Sequence, residues 1–242
     1  MAKNRIITSN VLNNNLDVKT SGVLVAPGLL AKWPLIGLTL FFMGSLIFGA
    51  LAYNLHIHGP LIQWDISLYH EFYAKAANAP ARINEIMLFG FFVGKQLIQV
   101  IVVILGLYFL YKRLWRELAM VLIGSGGGSL IWRFFNTFFD RPRPEAQIGI
   151  TVTNPSFPSG HVMSAVICYG LLTYLLVPKM PSLFWKWMVI ITALFVLAFV
   201  GFSRFFQGGH YLTDVIAGYA LGIAWAGLVY TLIEITFKEG NF

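Results

Sequence analysis

The sequence predicts an all-α polytopic membrane protein, a bundle of six transmembrane helices. Three observations predict it. Hydrophobic residues fill 57% of the 242 positions and charged residues only 11%, against about 45–50% and about 25% in a soluble domain. Mean hydropathy is +0.72. Apolar runs close to the roughly 20 residues of one bilayer crossing recur along the chain with short polar connections. The 21 Phe, 10 Tyr and 7 Trp exclude a disordered chain, and a single cysteine, Cys168, excludes a disulfide framework.

Residues 1–32, polar and rich in Asn, read as an N-terminal cytoplasmic tail, and 33–242 as the membrane domain. The first span is 33–55. It is long enough to cross, so Ala50-Leu51-Ala52 belongs to an uncleaved helix and not to a processing site. Residues 56–82 contain Gly59-Pro60, Asp65, Glu71, Lys75 and Pro80, and read as an extramembrane or interfacial segment with short helical pieces. His56, His58 and His70 in and around it lack a metal-ligand pattern. The second span, 84–111, is irregular at Gly94-Lys95-Gln96; Lys95 reads as a snorkelling residue near the outer surface or as a headgroup ligand. The third, 117–139, carries Gly124-Ser125-Gly126-Gly127-Gly128-Ser129, small residues that let a neighbouring helix come close. The remaining spans are 159–177, 185–202 and 210–237. Trp33, Trp64, Trp115, Trp185 and Trp187 fall near span ends, as in an aromatic belt.

The formal net charge is +7. The basic residues are scattered and form no stripe, so they point to membrane headgroups and loops and not to nucleic acid. With the N-terminus inside, cytoplasmic segments hold Lys3, Arg5, Lys19, Lys32, Lys112, Arg113, Arg116, Lys179, Lys186 and Lys238, which agrees with the positive-inside rule. Arg141, Arg143 and Arg204 then sit at the outer ends of spans, against that trend. Charges placed there need partners or a task.

The same count brings three polar clusters to that outer face. Arg141-Pro142-Arg143-Pro144 follows the third span, Pro158-Ser159-Gly160-His161 opens the fourth, and Ser203-Arg204 closes the fifth shortly before His210 and Asp214 open the sixth. Arginines at helix ends make an anion site, since guanidinium groups match phosphate oxygens. A helix starting at Ser159-Gly160 adds free N–H groups, and Gly160 lets a ligand approach. His210 and Asp214, four apart, share a helix face, so the carboxylate can fix the imidazole tautomer and free the other nitrogen for attack. His161, from another helix, can protonate a leaving oxygen. Asp140 and Glu145 flank the arginines and offset their charge.

Taken together, the string from Asn136 to Pro144, the Pro158–His161 tetrad and Ser203-Arg204…His210…Asp214 resemble the tripartite signature of the type 2 phosphatidic acid phosphatase superfamily. The resemblance implies a six-helix membrane hydrolase, multi-pass in a plasma or inner membrane, that removes phosphate from lipid phosphates or pyrophosphates without metal or cofactor. Undecaprenyl pyrophosphate, phosphatidylglycerol phosphate and phosphatidic acid are the candidate substrates. It implies His210 as a nucleophile forming phosphohistidine, Asp214 as its partner, His161 as acid and then base, and Arg143, Ser159, Gly160 and Arg204 as phosphate ligands. One position departs from the pattern: the family's Lys seven residues before Arg143 is Asn136 here. Asn136 would donate to phosphate without a charge, and Arg133, one turn earlier, would reach the same oxygens. Arg141 is the less secure phosphate ligand, its turn position suiting headgroup contact. The competing readings are a lipid phosphotransferase using the same histidine and a non-catalytic lipid-phosphate binder.

Overall fold

The computed structural model describes residues 29–239 other than 146 and 150; most of the predicted tail lies outside the described residues. A single turn at Leu29–Lys32 leads into α1, Pro34–His56. Then come α2 (Pro60–Ala76), α3 (Ala81–Gly94) and α4 (Gln96–Tyr111). Next are α5 (Trp115–Val121), a π-helical turn (Leu122–Gly127) and α6 (Gly128–Phe139). The chain finishes with α7 (Gly160–Leu176), α8 (Leu183–Phe206) and α9 (Leu212–Glu239). Proline opens α1 and α2, where its fixed φ suits the first turn and its missing N–H would have no partner anyway. Among the described residues six stretches are long and apolar enough to cross a membrane: α1, α3–α4, α5–α6, α7, α8 and α9. The six-helix expectation therefore holds.

Lipid tails are as apolar as leucine, so small residues, more than hydrophobicity, decide which helix lies inside such a bundle. α9 carries Ala217, Gly218, Ala220, Gly222, Ala224 and Gly227, and it is the helix that packs along both α1 and α7. A Cβ on Gly44 of α1 would stand 2.5 Å from the Ala220 carbonyl of α9, and one on Gly227 would stand 2.8 Å from the Gly37 carbonyl. By contrast α8 exposes Trp185, Trp187, Leu194 and Phe195.

Three local details differ from the sequence expectation. The 56–82 segment contains one continuous 17-residue helix, α2, instead of short pieces. Its buried residues Ile62, Asp65, Tyr69 and Ala76 recur at helical spacing, an amphipathic pattern that packs α2 onto α8 and α9. The irregularity in the second span is a true break: Lys95 has φ −138° and ψ −70° and separates α3 from α4. The Val93 carbonyl accepts from the Tyr169 hydroxyl of α7 at 2.8 Å. The glycine-rich stretch does admit a neighbour, but as a π turn. The Trp225 indole donates to the Gly124 carbonyl at 2.9 Å, and a Cβ on Gly127 would fall 2.5 Å from that ring.

Candidate active site

The C-terminal ends of α6 and α8 and the N-terminal ends of α7 and α9 meet at one end of the bundle, under α2. α6 stops at Asp140, whose φ of +42° is left-handed, a conformation that Asp tolerates better than most residues. The chain then runs through a 20-residue connection, 140–159, that bends back over the helix ends. Phe157 anchors it: the ring is fully buried, stacks on Phe48 of α1 and meets Phe139 edge-on.

His210 lies in the turn before α9, which begins at Leu212, and not on the helix as its spacing to Asp214 suggested. Its Nδ1 is 2.8 Å from the Ser156 carbonyl, which can only accept, so Nδ1 carries the hydrogen and Nε2 keeps its lone pair. The Asp214 carboxylate is 3.7 Å from Nδ1, beyond hydrogen-bond length. A backbone carbonyl, and not Asp214, fixes the tautomer. Asp214 instead accepts the Tyr211 N–H at 2.9 Å, closing the first turn of α9 as an N3 acid does, and takes a 2.5 Å bond from Arg141.

Arg141 is buried and does not reach a headgroup or the cavity. Its guanidinium joins Asp214, Thr213 at 2.8 Å and Asp65 of α2 at 3.0 Å, and lies 4.1 Å from the Tyr211 ring centre. Arg143 takes the other direction, toward His210. It donates to carbonyls of Asn154, Pro155 and Gly209, and its Nη1 is 3.2 Å from His210 Nε2.

Opposite stands the start of α7. The N–H groups of Gly160, His161 and Val162 have no intrahelical acceptor. Ser159 sits at the N-cap position, yet its hydroxyl is buried and caps nothing. Gly160 is required for a reason besides ligand approach: a Cβ there would come 2.6 Å from Trp132, whose indole donates to the Pro158 carbonyl. His161 stacks obliquely on Phe91, and its Nε2 is buried without a protein partner. Arg204, fully buried in the last turn of α8, bonds Gln207 through one nitrogen, while its Nε and other terminal nitrogen have no partner.

The two α6 candidates separate. Asn136 is buried, and its amide donates to the Pro155 and Phe157 carbonyls at 2.9 and 3.1 Å. Both hydrogens hold the connection, so neither is left for a phosphate. Arg133 is exposed and lines a cavity of about 610 Å³. That cavity also touches Arg143, Gly160, His161 and His210, and descends between α4, α6 and α7 past Ile98, Val102, Leu130 and Ile167.

Residues 114–237 match the PAP2 superfamily. The chain belongs to that superfamily. The PAP2 match takes in α5 to α9, hence the two histidines, Arg133, Arg141, Arg143, Arg204 and Asp214, and leaves out α1 to α4. Phosphatidylglycerophosphatase B of Bacillus subtilis (strain 168) is 35% identical over 144 residues, covering 58% of this PAP2 chain and 70% of its own. An undecaprenyl-diphosphatase of Sulfolobus acidocaldarius is 34% identical over 101 residues, 41% of this chain and 40% of its own. The crystal structure of a transmembrane PAP2 type phosphatidylglycerolphosphate phosphatase from Bacillus subtilis superposes with a TM-score of 0.67 at 29% identity. It covers 85% of this chain and 98% of that one.

Electrostatics favour an anion in this PAP2 site. Burial pushes the His210 pKa down to about 4, the Arg143 and Arg204 cations push the same way, and Asp214 only partly opposes them. His210 is therefore neutral at pH 7. Burial likewise lowers Arg143 to about 10, which still leaves it charged. Sequence reasoning missed Asp65, Ser156 and Gln207. Asp65 was legible as the one acid on the apolar face of α2. The Ser156 carbonyl has no sequence signal, because every residue carries one.

Proposed function

We propose that this PAP2 membrane phosphatase hydrolyses the phosphate monoester or diphosphate of a membrane lipid through a phosphohistidine on His210, without a metal, at the outer membrane face. The observation that carries the reading is the set of unpartnered buried polar atoms, Ser159 Oγ, His161 Nε2 and two Arg204 nitrogens, in the neighbourhood of a histidine whose unprotonated Nε2 meets the Arg143 guanidinium at 3.2 Å. Buried polar groups normally find partners, and a tetrahedral phosphoryl group supplies acceptors for them.

The phosphoryl group would rest on the α7 N-terminus, Arg204 and Arg143, which together hold the charge on its equatorial oxygens. His210 Nε2 attacks phosphorus; the N–P bond forms as the P–O bond to the lipid breaks, and His161, entering as the imidazolium beside the bound phosphate, gives its Nε2 proton to the departing oxygen and is left neutral. Water then attacks the phosphohistidine, His161 takes a proton from it, and inorganic phosphate leaves with His210 restored. Asp214, tied to Arg141 and to the Tyr211 N–H, holds the start of α9 on which His210 depends. Arg133 supplies the cation that Asn136 lacks. The lipid tail enters the cavity beside Ile98, Val102, Leu130 and Ile167. The names of the relatives support phosphatidylglycerol phosphate and undecaprenyl pyrophosphate as the lipids to try, and the sequence resemblance adds phosphatidic acid.

The test is phosphate release from these three lipids by detergent-solubilised protein in EDTA, with acid-labile labelling of the protein in a rapid quench. Release and labelling are expected, and His210→Ala should abolish both. Loss of release on chelation, or release with no labelled protein, would overturn the mechanism.

A further inference from the structure

The chemistry above leaves one cation of the cavity unused. Lys95 lines it together with Phe91, Gly94, Ile98 and Gln99, residues from both sides of the break between α3 and α4. A purely snorkelling lysine has no need to lie on the face that meets the catalytic histidine. The break in the helix delivers Lys95 there. Gly94 packs on His161, since a Cβ on it would stand 3.5 Å from the His161 Cβ. The Tyr169 hydroxyl bonds the Val93 carbonyl just before the break.

Charge counting points the same way. The described residues that line the cavity include Lys95, Arg133 and Arg143 but no carboxylate, and buried Arg204 lies behind Phe91, 4.8 Å from its ring centre. One phosphate monoester carries about −1.5 to −2 at pH 7. Four cations against that single group leave positive charge unmatched among the described residues around the cavity.

We infer that Lys95, with Gln99 one turn further along, forms a subsite for a second anionic phosphoryl group on the leaving-group side of the one cleaved. This rests on the phosphatase reading above, in which His161 protonates the leaving oxygen. In a lipid diphosphate the second phosphorus is bonded directly to that oxygen, so it emerges beside His161 and therefore beside Lys95. A phosphodiester separated by a glycerol spacer carries the same chemistry a few bonds further out. Lipids with two phosphoryl groups are the preferred class, and a lipid monophosphate is the weaker substrate.

The experiment compares kcat/KM on a polyprenyl diphosphate, phosphatidylglycerol phosphate and phosphatidic acid for the full chain, Lys95→Gln, Lys95→Arg and Arg133→Gln, with melting curves to confirm folding. Lys95→Gln should cut the preference for two-phosphoryl lipids over phosphatidic acid at least about ten-fold, the worth of one charge-assisted hydrogen bond. Lys95→Arg should largely keep it, and Arg133→Gln should lower all three substrates together. A selective effect on only one of the two-phosphoryl lipids names the source of the second group. Equal loss on every lipid would place Lys95 at the cleaved group, and no loss on any would return it to the headgroup region; either result overturns the subsite. Failure of the full chain to release phosphate from any of the three would instead sink the phosphatase reading.

Discussion

Asn136 stands where the superfamily signature has a lysine, and its geometry makes it a brace for the 140–159 connection. Replacing it tests this directly. In Asn136→Ala the Pro155 and Phe157 carbonyls lose donors at 2.9 and 3.1 Å. A stranded buried acceptor costs about 1–3 kcal/mol, and loss of a half-buried bond about 1, for a sum of about 2–4 kcal/mol. At roughly 2–4 °C per kcal/mol for a domain of this size, the melting midpoint in detergent should drop by at least about 4 °C. Asn136→Asp keeps the shape but sets a carboxylate oxygen against two carbonyl oxygens, so it should melt lower still. Turnover should fall in both variants, because the same connection carries the Asn154 and Pro155 carbonyls that hold Arg143 and the Ser156 carbonyl that holds His210. The assay is a melting curve beside kcat and KM on a short-chain lipid phosphate. Unchanged midpoints in both variants, with KM alone raised, would refute the brace and return Asn136 to the phosphate.

Two further outcomes follow from the same geometry. His210, with a pKa near 4 in the fold against about 6.5 unperturbed, should keep a neutral imidazole signature by NMR from pH 7 down to about pH 5. The folded state resists the proton that the unfolded chain accepts, so His210 should contribute stability that is full above pH 6.5 and lost as pH falls from there through 4; a histidine titrating near 6.5 that vanishes in His210→Ala would refute this. Asp65→Asn should lower the melting midpoint and turnover together. An amide presents a donor to either Arg141 and the Thr213 hydroxyl or the Thr213 N–H, all of them donors toward Asp65; an unchanged midpoint would exclude the network.

Much of this molecule was legible from hydropathy and charge. Six apolar runs and the three polar clusters at one end needed no tertiary information, because a bilayer fixes where each run begins and ends. What escaped was direction. Asn136 and Arg133 lie three residues apart on one helix, yet one turns to the connection and the other to the cavity, and only the path of residues 154–158 decides which. The His210–Asp214 spacing suggested a helical pair, whereas the helix starts two residues too late and a backbone carbonyl takes the expected role. Asp65 was passed over because a polar residue in an interfacial segment reads as solvated, and its burial depends on α2 packing across the ends of α8 and α9.

The π turn at Leu122–Gly127 acts as a register counter for the site. A turn closed by i→i+5 bonds takes up nearly one more residue than an α turn, and each residue rotates the following helix by about 100°. Arg133 and Asn136 lie on the far side of that turn. Were the turn closed by α-type i→i+4 bonds with every residue kept, the extra residue would rejoin the ladder and rotate the helix beyond it by most of that angle, swinging Arg133 out of the cavity and Asn136 off its carbonyls. The aim of two polar side chains at the bundle end is thus set by a count of small residues two to three helical turns away, in a segment without a single ionisable group.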